Sequence, residues 1–294
     1  MNKANLIKRV FFALWAVPLG VVATQWQINI FSSFPWAASS LVPLTPMRLV
    51  SLGIVLAAMH EYIQMLSHKF PRNRFGIYFF WIIPAMAHLF LPTPYFSTME
   101  IILAAMIPIA VETFLFGRVD KKWERTSLSF TGLILLYLAG QQLLLFDEPS
   151  FLSLWSNGNN GRIGIVIVLG AVFIGDSAAF FTGNFFGKHK LSSISPKKTI
   201  EGSIGGLCAT ILIMVGGVLF FGSPASSLFL GVLLGITIGI TGQVGDLIAS
   251  LVKRFFNVKD SSNLIPGHGG ILDRFDSLLF ATPFIHSIIR IYLQ

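Results

Sequence analysis

The sequence predicts an all-α, polytopic integral membrane protein of about nine transmembrane helices with its N-terminus in the cytoplasm. Three observations carry this reading. Hydrophobic residues make up 54% of the 294 and charged residues only 12%, against about 25% charged in a typical soluble domain, and mean hydropathy is +0.73. The apolar residues are gathered into continuous runs of about 20, the length a helix needs to cross a bilayer, and they do not alternate one by one as barrel strands do. The Lys and Arg residues fall almost entirely between alternate pairs of runs, as cytoplasmic loops require.

In chain order the runs lie near 9–27, 48–67, 76–92, 99–117, 128–146, 163–183, 203–222, 227–250 and 277–292. The first follows Lys3, Lys8 and Arg9 as a signal peptide would. No small-residue cleavage pattern comes after it, so a retained helix is expected. The second carries Glu61 beside His60 and the fourth carries Glu112, the main polar intrusions before residue 147. The turn-forming segment 155–161, WSNGNNG, separates the fifth run from the sixth. The segments 1–9, 68–75, 118–127, 184–202 and 251–276 hold 18 of the 21 cations, and the other three are Arg48, Arg162 and Arg290. This split places those five segments in the cytoplasm and the C-terminus outside.

Topology thus accounts for the net charge of +8. Nucleic acid is not an expected partner, because no run of cations is interleaved with aromatics outside the loops. The six tryptophans, Trp155 among them, fall mostly near span ends, as an aromatic belt would. Cys208 is the single cysteine, which excludes an intrachain disulfide and a cysteine metal site; it is expected in the packed interior of its span. The chain divides into N-terminal helices, 1–147, and a C-terminal half, 163–294, where glycine-rich helices and the long polar loops point to function. The two form one continuous membrane domain.

The richest chemistry lies in 250–276, SLVKRFFNVKDSSNLIPGHGGILDRFD. Lys253, Arg254, Lys259 and Arg274 suit several phosphates, and Asp260, Asp273 and Asp276 suit a divalent cation. Gly267, Gly269 and Gly270 around His268 would let backbone N–H groups approach an anion. Asp246, Ser250 and Lys253 fall at i, i+4 and i+7 of the eighth helix, one face, matching a metal ligand, a second oxygen ligand and a phosphate contact. The plain alternative is an ion pair of Asp246 with Lys253 or Arg254. A carboxylate within a span is costly to bury, which favours function.

Asp176 is either part of the site or a hydrogen bond between helices, next to the small-residue ridge Gly175, Ala179, Gly183 and Gly187. In the loop 187–202, Ser195 and Pro196 read as a turn ahead of Lys197, Lys198, Thr199 and Glu201, and its ammonium groups suit a triphosphate or a lipid phosphate. His268 suits binding or loop geometry and not proton transfer, since an attacking phosphate is already anionic. Asp273 and Asp276 could both face one metal, or one could pair with Arg274. Asp273 is the better ligand, with Arg274 and Asp276 tying loop to helix.

Ser250 to Arg254, Lys259 with Asp260, and Pro266 to Asp276 resemble the signature of the phosphatidate cytidylyltransferases, the CDP-diacylglycerol synthases, throughout its 27 positions. Asp176 to Gly187 and Ser195 to Gly202 extend the resemblance over roughly 165–290, with Ser177 and Phe180 standing where that family commonly has Thr and Tyr. The resemblance implies an enzyme of phospholipid biosynthesis that uses CTP and phosphatidic acid to make CDP-diacylglycerol and pyrophosphate. It further implies Mg2+, with K+ as a second cation, at a cytoplasmic site in a bacterial-type inner membrane. On this chain it implies Asp246 and Asp273 as metal-bridging carboxylates with Ser250 and Lys253 beside them. Lys197, Lys198, Arg254, Lys259, His268 and Arg274 are then expected on the substrates, with Asp176 and Asp276 as additional site residues. Membrane lipid is an expected partner, and a homodimer is compatible with the chain. A secondary transporter is the rival of another class, but it would not need the 250–276 segment.

Overall fold

The computed structural model describes residues 46–70, 149–155, 162–222, 226–265 and 269–294, with scattered positions between 127 and 146. The spans expected at 9–27, 76–92 and 99–117, the N-terminus, Glu112 and His268 lie outside the described residues. Every regular element among the described residues is a helix: α1 Pro46–Lys69, the short α2 Pro149–Ser153, α3 Ile163–Phe186, α4 Ile200–Phe221, α5 Leu228–Phe255 and α6 Leu272–Tyr292. Helical positions also occur between 127 and 143. Four described helices, α1, α3, α4 and α5, are long and apolar enough to cross a membrane.

Two boundaries differ from the sequence reading. The eighth run ends as helix at Phe255, and α6 begins at Leu272 and not near 277. The polar 251–276 segment is therefore a shorter loop, 256–271, flanked by helix on both sides. Lys253 and Arg254 belong to the last turn of α5, and Asp273 and Asp276 to the opening turns of α6. Hydropathy misses these turns because their polar side chains answer to one another and not to lipid.

Small residues bring α3, α4 and α5 close together. A Cβ at Gly202 would stand 2.6 Å from the Ala179 carbonyl oxygen, and one at Gly235 would stand 2.5 Å from Ile211 Cα. The ridge Gly175, Ala179, Gly183 thus packs on α4, as its spacing predicts. Thr199 caps α4 by accepting the Gly202 N–H at 3.1 Å, and Ser227 caps α5 by accepting from Leu230 N–H at 3.2 Å. Gly235→Val is expected to force α4 and α5 apart and to destabilise the fold by about 2 kcal/mol, read as a lowered melting temperature in detergent.

Trp155 does not face outward as a belt residue would. It is buried against Gly164, where only glycine leaves room for the indole. Cys208 is likewise not in the interior; it is on the exposed side of α4. The exposed phenylalanines Phe180, Phe181, Phe185 and Phe186 of α3 form the kind of surface that lipid covers.

The candidate active site

The helix ends and the two loops meet at one cluster of charge. Asp246 and Lys253 lie two turns apart on α5, as the 3.6-residue period requires. Ser250 between them turns its hydroxyl toward Asp246 Oδ1, 3.5 Å away. Neither forms the ion pair with its own helix that the plain reading allowed. Asp246 Oδ2 is in close contact with the Lys198 ammonium, and Lys253 Nζ donates to Asp273 Oδ1 at 2.6 Å.

The loop between α3 and α4 delivers Lys198. Glu201, in the first turn of α4, accepts the Lys188 N–H at 3.1 Å and contacts His189 Nδ1 at 2.6 Å, which ties the start of the loop to its end. Lys190 and Thr199 form an isolated antiparallel bridge, and the Lys198 N–H closes a tight turn on the Ser195 carbonyl at 3.0 Å. The Ser195–Pro196 turn is thus present. It sends Lys198 inward to Asp246 and leaves Lys197 exposed.

Asp273 is the most tightly held group of the cluster. Its Oδ2 accepts from the Ser261 N–H at 2.8 Å and the Gly270 N–H at 2.9 Å and lies 2.9 Å from the Ser261 hydroxyl, while Oδ1 takes Lys253. Asp273 precedes the apolar run of α6. Burial alone would raise its pKa, but the Lys253 ammonium and the Gly270 and Ser261 N–H groups together hold it below the ordinary carboxylate value.

Asp276 is buried on the next turn of α6, facing α5 near Gly245, with its Oδ1 accepting the Ser277 N–H at 2.7 Å. Arg274, two residues before it, is on the exposed side of α6. Asp176 of α3 lies beside Ser277 of α6 and within electrostatic reach of Asp246 and Lys198. Arg254, Lys259 and Asp260 are exposed, Arg254 donating to the Val258 carbonyl at 3.2 Å.

Gly267 lies outside the described residues, and Gly269 and Gly270 each meet a local need of the backbone. Gly269 has φ +81°, which closes the bridge to Ile265. Gly270 gives its N–H to Asp273, and a Cβ on it would run into the Ser261 hydroxyl and Glu61. Glu61 of α1 is the participant that sequence reasoning left without a role. It was legible as a carboxylate inside a span, but its partners are about 200 residues away in the chain.

Beside the cluster lies an apolar cavity of about 280 Å³, bounded among others by Tyr62, Leu136, Val252, Leu279 and Phe280, with Asp276 at its edge. Four carboxylates and two ammonium groups from α3, the α3–α4 loop, α5 and α6 therefore meet next to an oily pocket. Were all four carboxylates ionised, two negative charges would remain unbalanced. Carboxylates with a hydroxyl are the oxygen donors that Mg2+ takes. Among the described residues no three such side chains form a ready-made cage.

The family model of the Cytidylyltransferase family matches residues 10–292. A phosphatidate cytidylyltransferase of Bacillus subtilis is 30% identical over 252 residues, covering 84% of this chain and 90% of that one. One from Staphylococcus haemolyticus is 41% identical over 140 residues, 47% of this chain and 54% of that one. The Escherichia coli protein YnbB is 31% identical over 300 residues, 98% of this chain and 94% of that one. The chain spans about half the length of the staphylococcal and Synechocystis relatives it matches.

Proposed function

The chain belongs to the cytidylyltransferase family, and from that premise we propose that it transfers CMP from CTP to phosphatidic acid, giving CDP-diacylglycerol and pyrophosphate. The observation that carries this is the meeting of Asp246, Asp273 and Asp276 with Lys198 and Lys253 beside an apolar cavity. A lipid phosphate needs cations at its head and an oily space for its chains, and few other substrates need both.

A phosphate oxygen of the lipid attacks the α-phosphorus of CTP, forming the new P–O bond as the bond to the β-phosphate oxygen breaks and pyrophosphate leaves. No proton must be removed from the nucleophile, because the lipid phosphate is already anionic. Lys198 and Lys253 sit where they can exchange their carboxylate partners for substrate phosphates, fixing the two anions in line. Mg2+, when bound, would neutralise the triphosphate and the departing pyrophosphate, with Asp246 and Asp273 holding it and Ser250 beside them; K+ would be a second cation. The exposed Lys197, Arg254, Lys259 and Arg274 would draw CTP toward the site.

The site would open to the cytoplasm of a bacterial-type inner membrane, where CTP is found. Cysteines introduced into the loops 187–199 and 256–271 should resist a membrane-impermeant reagent added outside intact cells and react once the cells are opened. Labelling in intact cells would reverse the topology. The activity itself is tested by incubating the purified protein with labelled CTP, phosphatidate and Mg2+. Label carried by lipid only when all three are present is the expected result. Label that stays in the aqueous phase would overturn the assignment.

A further inference from the structure

Glu61 is fully buried in α1, and the reaction above makes no use of it. Its Oε1 accepts from the Ser262 hydroxyl at 2.6 Å and the Ile271 N–H at 2.8 Å. Its Oε2 accepts from the Ser261 hydroxyl at 2.7 Å and the Leu272 N–H at 2.8 Å. Four donors fill the roughly four acceptor positions of a carboxylate. All four belong to one segment. Two are serines of the 256–271 loop, and two are the N–H groups that open α6, which have no partner within their own helix. Glu61 is thus a helix cap supplied by a different helix.

A second observation links this cap to the charge cluster. The Ser261 hydroxyl stands 2.7 Å from Glu61 Oε2 and 2.9 Å from Asp273 Oδ2, while the Ser261 N–H holds that same Asp273 oxygen at 2.8 Å. Ser261 is therefore the spacer between two carboxylates, and the space around it admits no side chain at Gly270. The end of α1 is pinned to the same place by other contacts. Tyr62 packs edge-on against Phe256 with ring centroids 5.9 Å apart, and Lys69 Nζ lies 3.3 Å from the centre of the Phe255 ring.

We propose that Glu61 is a positioning residue of the active site. It anchors Ser261 and the first turn of α6, and through Ser261 it sets Asp273 Oδ2 against the pull of Lys253 on Oδ1. The role of Asp273 in turnover rests on the function proposed above; the anchoring does not.

The test compares wild type with Glu61→Gln, Ser261→Ala, the double variant and Ser262→Ala in lipid–detergent micelles, with turnover expressed per folded molecule. Glutamine turns one acceptor into a donor that must face a serine or a backbone N–H. Ser261→Ala keeps the N–H bond to Asp273 but cuts the hydroxyl link. Each is expected to lower kcat about 30-fold with KM for both substrates changed by less than about twofold. The double variant should be within about threefold of the worse single, because both cut one connection. Ser262→Ala, which touches Glu61 but not Asp273, should keep kcat within about threefold. If Glu61→Gln lowers only the melting temperature, or if the Glu61→Gln and Ser261→Ala effects multiply, the link through Ser261 is wrong.

The anchor has its own readout. With Cys208→Ser as background, a thiol at the exposed position Asn263 (Asn263→Cys) should react with a maleimide about fivefold faster once Glu61→Gln frees the loop. An unchanged rate would overturn the anchor. Should the wild-type chain transfer no CMP, the proposed function falls, and the thiol rate alone decides whether Glu61 holds the loop.

Discussion

Asp246→Asn is expected to lower turnover about a thousandfold, equivalent to about 4 kcal/mol of transition-state stabilisation, while leaving the fold intact. The carboxylate is partly open, with 29% of its side chain exposed, and its protein partner in the resting site is Lys198, which can swing to a substrate phosphate. Asparagine keeps the shape and one acceptor but removes the charge that a divalent cation would need. Chelating the divalent cation from wild type should give a loss of the same order. Asp273→Asn should be as inactive but less informative, because its amide would also confront the Lys253 ammonium or the N–H groups of Ser261 and Gly270. Near-normal turnover of a folded Asp246→Asn protein would reduce Asp246 to the counter-ion of Lys198.

Lys253→Met is expected to reduce both turnover and stability. Lys253 and Asp273 retain only 11% and 8% exposure of their side chains. Removing the ammonium leaves a nearly buried carboxylate without its cation, a change worth about 3 kcal/mol in comparable pairs. Activity should fall about a hundredfold as Asp273 loses one of the three residues that hold it, Ser261 and Gly270 being the others. The carboxyl of Asp273 titrates below its ordinary value, so the pair contributes fully at neutral pH. That contribution is lost only as pH falls through the depressed folded value. Arg254 is the control. It points outward and donates to the Val258 carbonyl, so at saturating CTP Arg254→Met should change kcat by less than about threefold, the loss of its steering charge showing only in KM for CTP. The reverse pattern, with Arg254→Met inactive and Lys253→Met normal, would mean that the face of α5 carrying the site is displaced by one position, about 100° round the helix.

The partner of Lys253 shows where a helical period stops being informative. Spacing alone puts Asp246, Ser250 and Lys253 on one stripe, and the structure keeps them there. The same spacing offers an ion pair along the stripe, and the helix does not make it. Lys198 arrives from the α3–α4 loop and Asp273 from α6, and each takes one end. Which cation meets which carboxylate depends on how deep the helices sit against one another, and glycine ridges at Gly202 and Gly235 set that depth. The ridges themselves are local patterns; their register is not.

By itself the sequence determined the membrane character, the positions of four of the described helices, the charged stripe on α5, the turn before Lys198 and the likeness to a family of cytidylyltransferases. Each of these follows from properties of neighbouring residues: apolar length, a 3.6-residue period, a Pro turn and a contiguous motif. Only the tertiary structure decided that Asp276 turns into the helix bundle, that Gly270 makes room for a carboxylate, and that Glu61 of α1 closes over the start of α6. Those are contacts between segments up to 211 residues apart. A buried carboxylate in a span must find donors because leaving it without them is costly, so the sequence shows that Glu61 has partners. It takes the folded chain to show that they are the loop and helix turn that hold Asp273.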